Sequence, residues 1–438
     1  MEGKKEINQI FRALRHRNFR LFFIGQGISL IGTWMQQIAM IWLVYRLTNS
    51  VFLLGFVGFT SQIPTFLVGS FAGVIADRTN RQRVLIITQT LAMLQALMLG
   101  ILALTGSITV WEIILLSTFL GLINAFDVPT RQSFLSEMVE RKEDLGNAIA
   151  LNSSMFNSAR LIGPAIAGIL ISIIGEGYCF LLNALSFIAV IISLMLIKVK
   201  PRPKIPHRAG IVEGLKEGLS YAWRFKPIRN ILMLLSLMSV IGMPYTVLMP
   251  VFARDILHGG SHTLGFLASS AGLGALTGAL YLASRKNVVG LGRWISYASG
   301  IFGVGLLLLS FSKTLWLALI VLYFIGFGMM VQMASSNTII QTIVDDDKRG
   351  RVMSFYTMAF LGMAPIGSLL AGSLASKIGT PSTILISGIV CILGAIIFMK
   401  ELPAIRRVIR PIYIKMGIIT EVSSGIESAT QLSVPPEN

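Results

Sequence analysis

Three charged residues, Asp127, Arg131 and Arg160, fall inside long apolar runs, where charge is costly. A carboxylate and two guanidinium groups in such surroundings can do two kinds of chemistry. They can hold one another as a buried ion pair, or the carboxylate can bind and release a proton as its surroundings change. At a helical rise of about 1.5 Å per residue, Asp127 lies about 24 Å along its run from Trp111, and Arg160 lies about 21 Å from Gly146. Both are almost equidistant from the connection centred on Glu143 and Asp144. In an antiparallel hairpin the two meet at one depth, so Arg160 is the expected partner of Asp127. Arg131, one turn from Asp127, competes from nearer the connection. A structural pair and a proton-carrying carboxylate both fit these residues, and a nearby arginine opposes protonation unless the pair separates during a working cycle.

A second concentration of charge is the stretch GVIADRTNRQRV at residues 73–84, set between two apolar runs. Asp77, at a helix end, can meet another helix N-terminus or an arginine, and such ion pairs can latch one packing of two bodies against another. The alternative is that Arg78, Arg81 and Arg83 only fix which side of a membrane the turn occupies. Metal and nucleophile chemistry find little support. Cys179 and Cys391 are far apart in sequence and read as small buried apolar residues. His16, His207, His258 and His262 all lie in polar connections, and Gly259 and Gly260 break the helical spacing of the last two. No phosphate-binding glycine loop, nucleophile elbow or HExxH helix occurs. The expectation is a protein that is not an enzyme and carries no cofactor or metal.

The elements that position these residues follow from composition. Hydrophobic residues make up 54% of the 438-residue chain and charged residues 13%, outside the range of a soluble globular domain. Crossing a bilayer takes about 20 mostly apolar residues, and twelve such runs occur, from Phe22 to Tyr45 through Thr383 to Met399. The first run is too long for a signal h-region and is expected to stay as a span. Every even-numbered connection is basic, from Arg78, Arg81 and Arg83 after the second run to Arg406, Arg407 and Arg410 after the last, while the odd ones carry little. This bias predicts a multi-pass protein of the cell membrane with both termini cytoplasmic. It also accounts for the net charge of +17 through anionic lipid, with no nucleic-acid partner.

The polar stretch around PRPKIP divides the chain. The expected organisation is a six-helix half over 1–200, a cytoplasmic linker with a surface helix over 201–227, a second six-helix half over 228–400 and a cytoplasmic tail over 401–438. The surface helix is drawn from Ile211, Leu215, Leu219 and Ala222, which share one helical face. An internal echo relates the halves: RLIGPAIAG at 160–168 and FLGMAPIGS at 360–368 each lie on the fifth span of their half.

The pattern G-x-x-x-D-R-x-x-R, here Gly73, Asp77, Arg78 and Arg81, between spans two and three of twelve resembles the signature loop of the major facilitator superfamily. The opening FRALRHRNFRLFFIGQGISLIGTWMQQIAMIWLVYRLT, with ADRTNRQRVL and SARLIGPAIAG, resembles the exporter branch that contains bacterial siderophore (enterobactin-type) and multidrug efflux permeases. The resemblance covers roughly residues 10–400. It implies an all-α fold of twelve transmembrane helices in two six-helix halves. It also implies secondary active export of an amphipathic small molecule, driver protons, and a monomer in the bilayer; proton-coupled import of a nutrient is the alternative. Gly163, Pro164 and Gly168 resemble the family's antiporter motif on span five. Spans one, four, seven and ten line the central cavity in this superfamily, which makes Trp34, Gln36, Gln37, Asn124, Tyr245, Gln332 and Asn337 the expected substrate contacts, with Phe126 and Met333 completing an apolar wall. One departure matters. Where many relatives carry an arginine on span four, this chain has Ser117, so the family's usual proton-coupling assignment cannot be copied across.

Overall fold

In hydrocarbon every backbone N–H and C=O must be satisfied within its own segment, so apolar runs of this length have one regular solution, the helix. The computed structural model describes residues 11–199, 220–285, 288–416 and 418, without the side chains of 70, 71, 73–78, 142, 346 and 347. The described residues are all-helical, and twelve helices are long and apolar enough to cross a membrane. The first six are α1 (Arg17–Thr48), α2 (Val51–Arg78), α3 (Arg81–Leu104), α4 (Val110–Leu135), α5 (Leu145–Ile174) and α6 (Glu176–Leu196). The second six are α7 (Lys226–Ile256), α8 (Ser261–Ala283), α9 (Leu291–Phe311), α10 (Leu315–Ile343), α11 (Lys348–Ile378) and α12 (Thr380–Lys415).

Two of these helices are irregular in a way apolarity alone does not show. In α7 the backbone widens to π geometry over Met238–Gly242, and in α11 over Met358–Gly362. Pro244 and Pro365 follow these segments closely. A proline offers no N–H to the preceding turn, and the wider turn absorbs the mismatch. A further π segment, Phe252–Ile256, closes α7.

Among the first six helices, α1 packs along α5 and α6, α3 along α4 and α6, and α2 along α4. Among the last six, α10 packs along α8 and α9, and α9 along α12. Two long seams join the sets, α5 on α8 and α2 on α11. The two seams involve both copies of the glycine-rich echo, one on α5 and one on α11. At the end bearing the even-numbered connections, ion pairs tie elements of the same set. Arg12 and His16 hold Asp144 at 3.1 and 2.9 Å, Arg81 meets Glu137 at 2.5 Å, and Lys226 meets Glu401 at 2.6 Å.

Helix α12 continues to Lys415, well past residue 400 where a tail was expected to begin. Leu402, Ile405 and Ile409 form a buried stripe at helical spacing, and that apolar face holds the extension against the bundle. In the expected linker, Ile211, Leu215 and Leu219 lie outside the described residues, whereas Ala222 is buried in a short helical turn before α7.

Candidate functional site

At mid-depth the two helix sets meet around Arg160. Its guanidinium carbon lies 5.7 Å from the centroid of the Trp34 ring on α1, and its Nη2 is 3.9 Å from Sδ of Met329 on α10. Tyr245 of α7 is close enough to interact with it electrostatically. Trp34 in turn packs edge-on to Phe156 at 5.7 Å, and Tyr245 edge-on to Phe302 at 6.2 Å. Spans one, five, seven and ten thus supply one cluster at the seam, a cation with an aromatic and thioether surround. Trp34 is positioned by backbone approach: a Cβ on Gly163 would stand 2.5 Å from the Cβ of Trp34, so glycine at 163 is what lets α5 lie directly on α1.

Toward the end bearing the odd-numbered connections, this cluster is closed by two zips of small residues. On the α5–α8 seam, a Cβ on Gly265 would fall 2.6 Å from the carbonyl oxygen of Pro164 and 2.8 Å from the Cα of Gly168. Ser261 Oγ donates to Gly168 O at 3.1 Å, and Ser269 Oγ to Leu161 O at 2.9 Å. On the α2–α11 seam, Gly55 meets Gly372 as closely, with a Cβ-to-Cα separation of 2.7 Å. A third tie lies above them. Tyr45 donates to Asp255, Arg254 Nη1 donates to Asn49 Oδ1 at 2.8 Å, and the Arg254 guanidinium sits 5.7 Å from the Tyr45 ring centroid. The sequence offers Arg254 and Asp255 only as offsetting loop charges, and nothing local says that Tyr45, 210 residues away, completes the tie.

The expected pairing of Asp127 with Arg160 is corrected by the structure. Asp127 Oδ2 lies 3.4 Å from Nε of Arg131, one turn along the same helix. Its Oδ1 accepts from Thr88 Oγ1 at 2.9 Å and from Gln89 Nε2 at 2.7 Å, both on α3. The reason is that consecutive spans four and five do not form the assumed hairpin: α4 packs on α2 and α3, and α5 on α1 and α8. Equal depth therefore does not bring the two residues together. Thr88 and Gln89, adjacent polar residues on span three, were the legible signal for where a carboxylate would be received.

Gln36 is also corrected, from substrate contact to internal packing. It is buried, donates to Gln95 Oε1 at 3.0 Å and accepts from Asn183 Nδ2 at 2.7 Å, while Gln95 donates to Leu116 O at 3.2 Å. This chain of amides stitches α6, α1, α3 and α4 within the first set. Gln37, its neighbour, is exposed, and Asn124, Phe126 and Met333 are half-buried. Gln332 is buried, and among the described residues its amide reaches Ser336 on its own helix, at 3.5 Å. Asn337 accepts from Gln341 one turn on, at 2.5 Å. In the charged turn, the side chains of Gly73, Asp77 and Arg78 lie outside the described residues, and Arg81 is tied to Glu137 in the connection after α4. The cysteines are free and buried.

The profile of the transmembrane secretion effector family matches residues 9–408, nearly the whole described bundle. The chain belongs to that family. Within the family's wider superfamily, that of the major facilitators, the chain is 30% identical over 387 residues to the staphyloferrin A transporter of Staphylococcus aureus, covering 87% of this chain and 96% of that protein. It is 26% identical to the multidrug efflux pump Tap of Mycolicibacterium fortuitum, covering 82% and 88%, and 22% identical to macrolide efflux protein A of Streptococcus pyogenes, covering 86% and 96%. Among solved structures, a POT family transporter in complex with a thioalcohol-conjugated peptide superposes with a TM-score of 0.71 at 12% identity, covering 89% of this chain and 96% of that one. A bacterial homologue of the lysosomal transporter Spinster, inward-facing and unoccupied, gives 0.66 at 12%, covering 88% and 96%. These likenesses establish the major facilitator fold. As a transmembrane secretion effector of the siderophore and multidrug exporter branch, the protein is a multi-pass membrane transporter of small molecules and not an enzyme.

Proposed function

We propose that the protein exports an amphipathic small molecule across the bacterial cell membrane by alternating access, exchanging protons for it, as a monomer with both termini cytoplasmic. The observation that carries this reading is the Arg160 cluster, built at mid-depth by helices of both sets and roofed by the glycine zips. A site at the seam of two six-helix halves, read as 1–200 and 228–400, is exposed to one side or the other according to which end of the seam is closed. With basic connections inside, the roof faces outward. The zips and the Tyr45–Asp255 tie then form the outer gate, which opens to release substrate. Asp77, at the inner end of α2, would serve the opposite gate.

Asp127 is our candidate proton carrier. It is the buried acid at depth among the described residues, apart from Glu176, which Arg46 holds at 2.8 Å near the outer end. A neighbouring guanidinium opposes protonation, so proton uptake requires the pair with Arg131 to separate, and Gln89 can then serve either state. Gln89 donates to the carboxylate, and the Oε1 of the same amide is buried without a hydrogen-bond partner. A turn of that amide would present an acceptor to a protonated Asp127.

Transport of a compound panel into inverted vesicles with an imposed pH gradient tests the reading. Uptake that rises when the vesicle interior is made acid is expected. Uptake indifferent to the gradient, or seen only in right-side-out vesicles, would overturn antiport or export respectively.

A further inference from the structure

Arg160 has no carboxylate within ion-pair distance among the described residues. The acids that could have served are engaged elsewhere: Asp127 by Arg131, Glu176 by Arg46, and Asp255 by Tyr45. What faces the guanidinium is the Trp34 ring and the weakly accepting thioether of Met329. A thioether is a poor substitute for water or an anion, so most of the guanidinium's fork of N–H donors is unspent. A charge near the bilayer centre is expensive and normally pairs or lines a substrate path. Here the cation stands at the seam, where helices from both halves meet.

We infer that the transported molecule carries a carboxylate-type anionic group, bound by Arg160 against an aromatic wall of Trp34 and Phe156. The inference rests on the proposal that this seam is the substrate site. A guanidinium matches a carboxylate through two parallel charge-assisted hydrogen bonds. Trp34 stacks on one side of the guanidinium and meets the edge of Phe156, so an apolar or aromatic body attached to the anion has a surface beside the cation. Tyr245, from the other half, is close enough to Arg160 to interact with it electrostatically. Because Arg160 and Trp34 belong to one half and Tyr245 and Met329 to the other, an anion held here bridges the seam. Aromatic cations of the same shape would be repelled by Arg160 with no neighbouring acid to offset it.

The test is binding to the purified full chain in detergent of three molecules of one shape, 2-naphthoate, 2-naphthamide and 2-naphthylmethylammonium, with succinate as a carboxylate lacking the apolar body. Naphthoate is expected to bind about ten- to a hundredfold more tightly than the amide, the range of a charge-assisted pair, with the cation weakest and succinate weaker than naphthoate. Arg160→Gln should remove the preference for naphthoate over the amide, and Arg160→Lys, which keeps the charge but loses the fork, should retain part of it. Equal binding of the carboxylate and the amide, or no measurable binding of either carboxylate at millimolar concentration, would overturn the inference. So would a preference that survives Arg160→Gln. Should Arg160→Gln fail to fold, the wild-type ranking and Arg160→Lys still decide. The outcomes separate from those of the export proposal: carboxylate selectivity with uptake only in right-side-out vesicles sinks export and leaves the anion site, whereas export confined to amides or cations does the reverse.

Discussion

Replacing Asp127 by asparagine tests the reassigned charge pair. The Asp127 side chain is 5% exposed and that of Arg131 23%, so the pair is buried on one side and partly wet on the other. Breaking a fully buried pair costs about 3–5 kcal/mol. Arg131 can recover part of this by reaching toward the even-numbered connections, whereas the substituted amide keeps acceptor geometry toward Thr88 and Gln89 but turns two charge-assisted hydrogen bonds into neutral ones. We therefore expect Asp127→Asn to cost about 2–3 kcal/mol and Arg131→Gln about 2 kcal/mol, with the double variant less destabilised than the sum by about 1–2 kcal/mol. Asp127→Asn combined with Arg160→Gln should instead be additive within about 0.5 kcal/mol, as for sites with no shared partner. Unfolding of these four variants and of Arg160→Gln alone in detergent measures these couplings. Strong coupling of Asp127 to Arg160, and none to Arg131, would refute the reassignment. Proton-driven uptake by the Asp127→Asn/Arg131→Gln variant then separates the two roles, since a structural pair predicts pH-coupled export and a proton carrier predicts folded protein with coupling lost.

Four further outcomes are expected. Asp255→Asn or Tyr45→Phe should loosen the outer gate, raising labelling of a Ser261→Cys reporter by a membrane-impermeant maleimide about fivefold, the worth of roughly one hydrogen bond. The native cysteines are buried and give little background, and unchanged labelling would mean the zips alone hold the gate. Gly265→Val drives a side chain into the Pro164 carbonyl, so transport should fall sharply at near-normal abundance; normal transport would show that the zip need not close. Asp77→Asn should reduce transport through weaker inner closure, read as less crosslinking between the inner ends of α2 and α11, and unaltered crosslinking with intact transport excludes Asp77 from a gate. The hydrogen bond from His16, aided by Arg12, holds the Asp144 carboxyl below the usual carboxylate range. A depressed pKa gives a tie that is full above the unfolded value and lost only as pH falls through the folded one. Hydrogen exchange over residues 11–16 should thus stay protected from pH 7 to about pH 4 and rise below that. Asp144→Asn should lower the protection and remove its dependence on pH over this range, the bond from Ala13 N to Asn147 Oδ1 remaining.

Sequence alone determined the twelve spans, because the length of an apolar run is a local quantity set against a fixed bilayer thickness. It also marked which residues were costly, since a charge in such a run is conspicuous whatever surrounds it: Asp127, Arg131 and Arg160 are read from the chain. It gave the small residues of α5 as a place of close approach, and the structure supplies their partner, Gly265 on α8. What only tertiary structure decided is which helix lies beside which. Asp127 and Arg160 share a depth, yet α4 and α5 pack on different neighbours, so the carboxylate finds Arg131, Thr88 and Gln89 instead. Adjacent Gln36 and Gln37 look alike in sequence, but a helix turns them about 100° apart, one into the amide chain of the first half and the other to an exposed face. The tie between Tyr45 and Asp255 joins residues 210 apart, and the Arg160 cluster draws on spans one, five, seven and ten. In a largely apolar bundle local patterns seldom encode such neighbours, Thr88 and Gln89 being an exception, because most faces of most helices are greasy enough to meet either lipid or protein. The choice rests on shape, on where glycine and serine let backbones touch, and that is a property of pairs of helices once they are packed.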